Sequence, residues 1–222
     1  MPKWFAPVLL ISLCMFALGV AGLVAVSGIT DGDARKHGDP HHQADGLEQL
    51  EILEFQLFDQ TGQIVDRSIF DGEITILNFF FSNCLLVCPL MTGETYGMTQ
   101  ALGGTDVKFV SISVDPEHDT IDVILEYGLQ YDADPDQWRF LTGDRDQIVR
   151  LIGEGMMFHL ANDTDQDNTI PLTDGSTMPN IVHPSQFFLI DRDRRVLGLY
   201  SYLIDEDIAE LTRRARQLSK LD

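Results

Sequence analysis

The most reactive groups in this sequence are two cysteines with a specific setting. Cys84 and Cys88 lie in the stretch SNCLLVCPLM. Ahead of them, residues 74–81 (ITILNFFF) form a β-branched and aromatic apolar run broken only by Thr75 and Asn78. Behind them, Pro89 suits the first turn of a helix, where its missing N–H is no loss. The two thiols therefore fall where a buried strand ends and a helix begins. The unpaired N–H groups and the positive end of a helix dipole favour thiolate there. If residues 84–88 coil as a helical turn, their spacing sets both sulfurs on one side. Such a pair can close a disulfide or share a soft metal ion.

Other residue types with possible chemistry are less pointed. His37, His41 and His42 gather in a polar stretch and can catch a metal ion transiently. A solvated linker in which histidines happen to fall together accounts for them equally well. His118 and His159 read as surface or core histidines, with accessory metal ligation as the alternative. Met91, Met156, Met157 and Met178 read as gap-filling side chains in or beside apolar runs.

The elements that must position the thiols can be read in order. Residues 53–58 largely alternate apolar and polar, residues 59–62 (DQTG) turn, and residues 63–66 return, which predicts a small β-hairpin. Asp71 and Gly72 turn into the strand 74–81, whose unbroken hydrophobicity fits burial on both faces. The dithiol helix runs to about Leu102 and stops at Gly103 and Gly104. Residues 107–114 (VKFVSISV) form a second buried strand ending at 115–120 (DPEHDT), where Asp119 or Thr120 caps a helix to about Tyr131. Residues 138–141 make a short strand, and Asp144 caps a helix to about Ile152. Residues 161–180 carry no Lys or Arg and are long for a loop, so they read as a hairpin excursion near a functional rim. Residues 185–191 (SQFFLID) and 195–200 pair antiparallel across a turn at Asp193 and Arg194. Asp205 caps a last helix over 206–218, with Ile208, Leu211, Ala215 and Leu218 on one face. The order predicts an α/β fold, a mixed sheet flanked by helices with an N-terminal β-hairpin. A dithiol at the first strand–helix junction with a β-β-α ending is the thioredoxin arrangement. Strand ends and helix starts gather along one edge of such a sheet, where ligands bind.

Bulk properties narrow the function. The 222 residues include 15 Lys and Arg against 35 Asp and Glu, a net charge of −20. Only Lys3 among the basic residues, and none of the acidic ones, falls in residues 1–30. So acidic a surface does not suit a nucleic-acid backbone; it attracts cations or basic partner patches. Of three cysteines, Cys14 lies in the apolar N-terminal segment, which leaves Cys84 and Cys88 as a single dithiol. Residues 4–29 carry no charge. A bilayer core of ~30 Å takes about 20 apolar residues, so this stretch can span it as a single transmembrane helix. Lys3 keeps the N-terminus inside, and the rest of the chain then faces the periplasm or an equivalent extracytoplasmic space. A cleaved signal peptide, with small residues at Ala25 and Ser27, is the other reading. The organisation expected is an anchor or signal over 1–30, a His-containing linker over 31–49 and a thioredoxin-like domain over 50–222.

Four stretches then resemble the Sco/SenC family of copper-binding, thioredoxin-like proteins. They are Phe79 to Pro89 with its C-x-x-x-C-P spacing, SISVDPEHDT at 111–120, FLTGDRDQI at 140–148, and His183 ahead of SQFFLID with the turn at 191–195. The resemblance spans about residues 55–211. It implies that Cys84, Cys88 and His183 bind copper and that Asp115 acts behind them, steering a ligand or partner. Two thiolates and an imidazole suit Cu(I), and Cu(II) also accepts such a nitrogen-containing set. Leu85, Leu86 and Val87 make the segment between the cysteines greasier than the family's usual polar stretch. Pro184 after His183 is also unusual for the family and restricts the backbone there.

Two functions follow. One is a membrane-anchored copper chaperone. By resemblance its partner is the copper-site subunit of cytochrome c oxidase, or another periplasmic copper protein, with delivery to the dinuclear copper site. The other is a thiol–disulfide oxidoreductase in which Cys84 attacks a partner disulfide and Cys88 resolves it. Thioredoxin-type reductants have two residues between their cysteines, not three, and such an enzyme has no need of His183. Both features favour copper.

Overall fold

The hairpin forms where alternation predicts it. In the computed structural model β1 (Gln56–Asp59) pairs antiparallel with β2 (Ile64–Asp66), Leu57 facing Val65. The Asp59 carboxylate closes the turn by accepting from the backbone N–H of Thr61 and of Gln63. The structure describes residues 46–83, 87–158, 160–162, 169–171, 177–179 and 181–221. The segment 1–30, His37, His41, His42, Cys84 and His159 lie outside these. Among the described residues no helix is long and apolar enough to cross a membrane.

The apolar run becomes β3 (Thr75–Phe80), buried along its whole length. Then follow α1 (Val87–Ala101), β4 (Lys108–Ser113), α2 (Ile121–Leu129), β5 (Trp138–Gly143) and α3 (Arg145–Arg150), which continues as a π-helical turn over Leu151–Gly155. The excursion contains β6 (Ala161–Asn162), β7 (Thr169–Pro171) and β8 (Thr177–Pro179), and β9 (Ile181–Val182) follows it. β10 (Gln186–Ile190), β11 (Val196–Ser201) and α4 (Asp205–Leu218) close the chain.

A seven-stranded sheet has the order β11-β10-β3-β4-β5-β1-β2. β3, β4 and β5 run parallel; β10 pairs antiparallel with β3, and β1 antiparallel with β5. This is the expected mixed sheet, but the N-terminal hairpin joins the β5 edge rather than the β3 that follows it. The excursion folds as expected into a β7–β8 hairpin, with β6 paired to β9 just ahead of His183.

Strand alternation sends Phe79 and Phe80 to opposite faces. Phe79 meets Phe188 edge-on, and Phe158 packs on that same Phe188. Phe80 stacks on Tyr127 of α2 and meets Phe140 of β5 edge-on. The Tyr127 hydroxyl lies 2.8 Å from Thr92 Oγ1, tying α2 to α1. Asn78, the polar break in β3, is paid back by its neighbours: Trp138 Nε1 donates to Ser111 Oγ, which donates to Asn78 Oδ1 at 2.6 Å. This polar chain links the three parallel strands inside an apolar core, where an unpaired amide would cost about 1–3 kcal/mol.

Helix starts were only partly legible. Asp144 caps α3 as expected, accepting from Gln147 N at 2.9 Å. Thr120 holds the N-cap position of α2 but makes no side-chain cap bond, and the Asp119 carboxylate is engaged elsewhere. Asp205 is the first residue of α4 rather than its cap; Asp207 reaches back to accept from Ser201 N at 2.8 Å. At Gly155 the chain passes so close to Glu51 that an added Cβ would sit 2.5 Å from the Glu51 carbonyl oxygen, so no side chain fits there.

Candidate metal centre

The C-terminal ends of β3, β4 and β5 are fastened together by one residue. Asp119 is fully buried. Its carboxylate accepts from Ser82 N at 3.2 Å and from Ser113 Oγ at 2.5 Å, and it also accepts from Ser82 Oγ. Its backbone carbonyl accepts from Thr142 Oγ1 at 2.6 Å. Ser82 follows β3 and stands two residues before Cys84; Ser113 ends β4; Thr142 lies near the end of β5. Burial raises the Asp119 carboxyl above its ordinary range, against the pull of the Ser113 and Ser82 bonds.

His183 is delivered to the same edge. β10 pairs with β3 so that Phe188 faces Leu77. The chain ahead of β10 therefore enters beside the C-terminal end of β3. The ring contact agrees: the His183 imidazole stands edge-on to Phe81, 5.7 Å between centroids and 83° between planes. His183 Nδ1 lies 3.0 Å from the carbonyl oxygen of Pro184. A carbonyl only accepts, so that nitrogen carries the proton and Nε2 holds the lone pair. Burial lowers the His183 pKa, with the Pro184 bond partly opposing, which favours the neutral ring that a metal requires. The peptide bond before Pro184 is trans.

Cys88 is the second residue of α1, and its side chain is fully buried. It lies close enough to Tyr127 for its charge to help raise the Tyr127 pKa, which burial already pushes up. Cys84 lies outside the described residues; in the chain it follows Asn83 by one position and precedes α1. Among the described residues no three His, Cys, Asp or Glu side chains are arranged to hold a metal ion.

Asp115, just past β4, is buried. Both of its carboxylate oxygens lie within 3.0 Å of His118 Nδ1, and the His118 side chain is 50% exposed. The hydrogen bond and the charge of Asp115 raise the His118 pKa. Met91 and Met156 are core residues, as their setting predicted, while Met157 is exposed. The structure thus brings His183, Ser82 and the start of α1 to one edge of the sheet. Sequence reasoning missed the roles of Asp119 and Phe81. The signal was there for Asp119: serines ending two neighbouring parallel strands and an acid closing the next turn.

The sequence profile of the SCO1/SenC family matches residues 44–219. The chain belongs to the SCO1/SenC family. A SCO1 protein homolog from Bacillus subtilis (strain 168) is 27% identical over 154 residues, which are 68% of this chain and 74% of the relative. Among solved structures, Bradyrhizobium japonicum ScoI with copper bound superposes with a TM-score of 0.61 at 25% identity, covering 76% of this chain and 99% of that one. BsSco, described as having a disulfide switch and as a member of the Sco family of cytochrome c oxidase assembly proteins, gives a TM-score of 0.63 at 25% identity. It covers 78% of this chain and 96% of its own. The likeness extends over the sheet and helices that carry the edge described above, and the fold is thioredoxin-like.

Proposed function

We propose that this SCO1/SenC protein carries a copper ion on Cys84, Cys88 and His183 and delivers it outside the cytoplasm to the dinuclear copper site of cytochrome c oxidase. The observation that carries the reading is the His183 ring. It rests on Phe81 at the end of β3, neutral and with Nε2 as its lone-pair nitrogen, beside the segment that bears Cys84 and the helix that buries Cys88. Two thiolates and a neutral imidazole form a soft donor set suited to Cu(I). The copper bound to the Bradyrhizobium relative, and the description of BsSco as one of the oxidase assembly proteins, point the same way. Residues 4–29 anchor the domain to the membrane in this reading. Release proceeds by ligand exchange, with partner thiolates replacing these ligands in turn. The net charge of −20 steers a basic recipient surface toward the domain.

The test is copper content and Cu(I) affinity of the reduced protein, wild type against His183→Ala and Cys84→Ser. Both variants should lose affinity by at least tenfold. Unchanged binding in both would exclude this ligand set.

The second reading is a thiol–disulfide oxidoreductase, favoured by the place of Cys88 in the first turn of α1 and by the disulfide switch of BsSco. The Cys84 thiolate attacks a partner disulfide to give a mixed disulfide and a released partner thiolate. Cys88 then displaces the second partner sulfur and closes a Cys84–Cys88 disulfide, leaving the partner reduced. Fast disulfide reduction that persists in His183→Ala, together with no copper uptake, selects this reading.

A further inference from the structure

The turn after β4 holds an imidazole that nothing above assigns. Asp115 is buried, and both of its oxygens face His118 Nδ1, at 3.0 and 2.9 Å. A carboxylate acting on Nδ1 fixes the tautomer, so the neutral ring presents Nε2 as a lone pair on a half-exposed side chain. A buried carboxylate behind an outward-facing imidazole is the arrangement that orients metal-ligating histidines and raises their basicity.

The turn itself is held at the candidate metal centre. The Asp115 backbone carbonyl accepts from the N–H groups of His118 and Asp119. The Asp119 side chain grips Ser82, two residues before Cys84. His118 therefore stands on a fixed platform at the sheet edge that also receives His183 and the first turn of α1. Cys88, by contrast, is fully buried, so an ion reaching or leaving it must first pass a more exposed donor.

We propose that His118, oriented by the Asp115 carboxylate, is a further copper ligand at the rim, holding the ion transiently as it passes to or from Cys84, Cys88 and His183. The proposal rests on the copper-carrying reading. A turn clasp alone would need the ring's Nδ1–H; a transfer ligand also needs Nε2. Substitution separates the two. His118→Asn keeps an N–H for Asp115 but lacks the second ring nitrogen, whereas His118→Ala lacks both.

The experiment loads the full reduced chain with an equivalent of Cu(I) and follows transfer to a bidentate Cu(I) chelator by stopped flow. Copper stoichiometry should match wild type in both variants, because the resident ligands are intact. Transfer should slow by about tenfold in both, the scale on which an oriented histidine matters at a metal site. Wild-type transfer rates in His118→Asn would overturn the proposal and leave His118 as a clasp. Failure of the wild-type chain to take up copper at all would overturn the copper reading itself, and this proposal with it.

Discussion

The imidazole of His183 meets the ring of Phe81 edge-on, 5.7 Å between centroids, where the buried run of β3 gives way to the dithiol segment. A side chain from late in the chain is thus held by packing against a residue that is itself buried. Phe81→Leu should keep the fold at a cost of about 1–2 kcal/mol, the lost aromatic pairing and a small cavity together. It should also weaken copper binding several-fold by loosening the ring. Chemical denaturation and Cu(I) competition on the same variant check both. Lowered stability with unchanged affinity would mean that the ring needs no such support.

The two described histidines should titrate in opposite directions. Burial lowers His183 below its ordinary 6.5. The unfolded chain then holds the proton more tightly than the folded one, so stability present above pH 6.5 is lost as pH falls through the lowered value. Asp115 raises His118 above 6.5. Its contribution is complete below that pH and is lost as pH rises through the raised value. NMR titration of the imidazole signals should place the His183 midpoint below 6.5 and the His118 midpoint above it. Asp115→Asn should bring the His118 midpoint down.

Asp119 accepts from Ser82 N, Ser82 Oγ and Ser113 Oγ in a fully buried setting. Asp119→Ala strands these donors, and each buried group left unpaired costs about 1–3 kcal/mol. Allowing for water entering the space, the net loss should be about 2–4 kcal/mol by denaturant unfolding. A loss below about 0.5 kcal/mol would show that the three strand ends do not depend on this carboxylate.

What the sequence made legible follows from period and punctuation. β3 could be read because its apolar run has no polar alternation, and the β1–β2 hairpin because Leu57 and Val65 alternate around a DQTG turn. Cys88 could be placed at a helix start because Pro89 marks one. The hairpin's attachment to β5 was not legible, since Leu57 facing Gly143 is a tertiary pairing with no local signature. Asp119 looked like a helix cap because capping and buried strand-clamping use the same side chain; only the placement of Ser82 and Ser113 decides between them. Asp205 misled for a related reason. Its helix starts where expected, but Asp207, two positions on, supplies the bond that closes the junction with β11.

The full burial of Cys88 leads to a last prediction about chemical access. A thiolate must be reached to be alkylated, and Cys88 has no exposed surface at the start of α1. Brief treatment of the reduced native protein with iodoacetamide should leave Cys88 unmodified by peptide mass spectrometry. The same treatment in denaturant should modify it completely. Protection bears on both readings of function, because an incoming partner sulfur would have to engage Cys84 first, and Cys88 would act second, as resolving thiol or as the last ligand to let copper go. Alkylation of Cys88 at the rate of an exposed cysteine would mean that the first turn of α1 opens readily, and the order of attack would then be unconstrained.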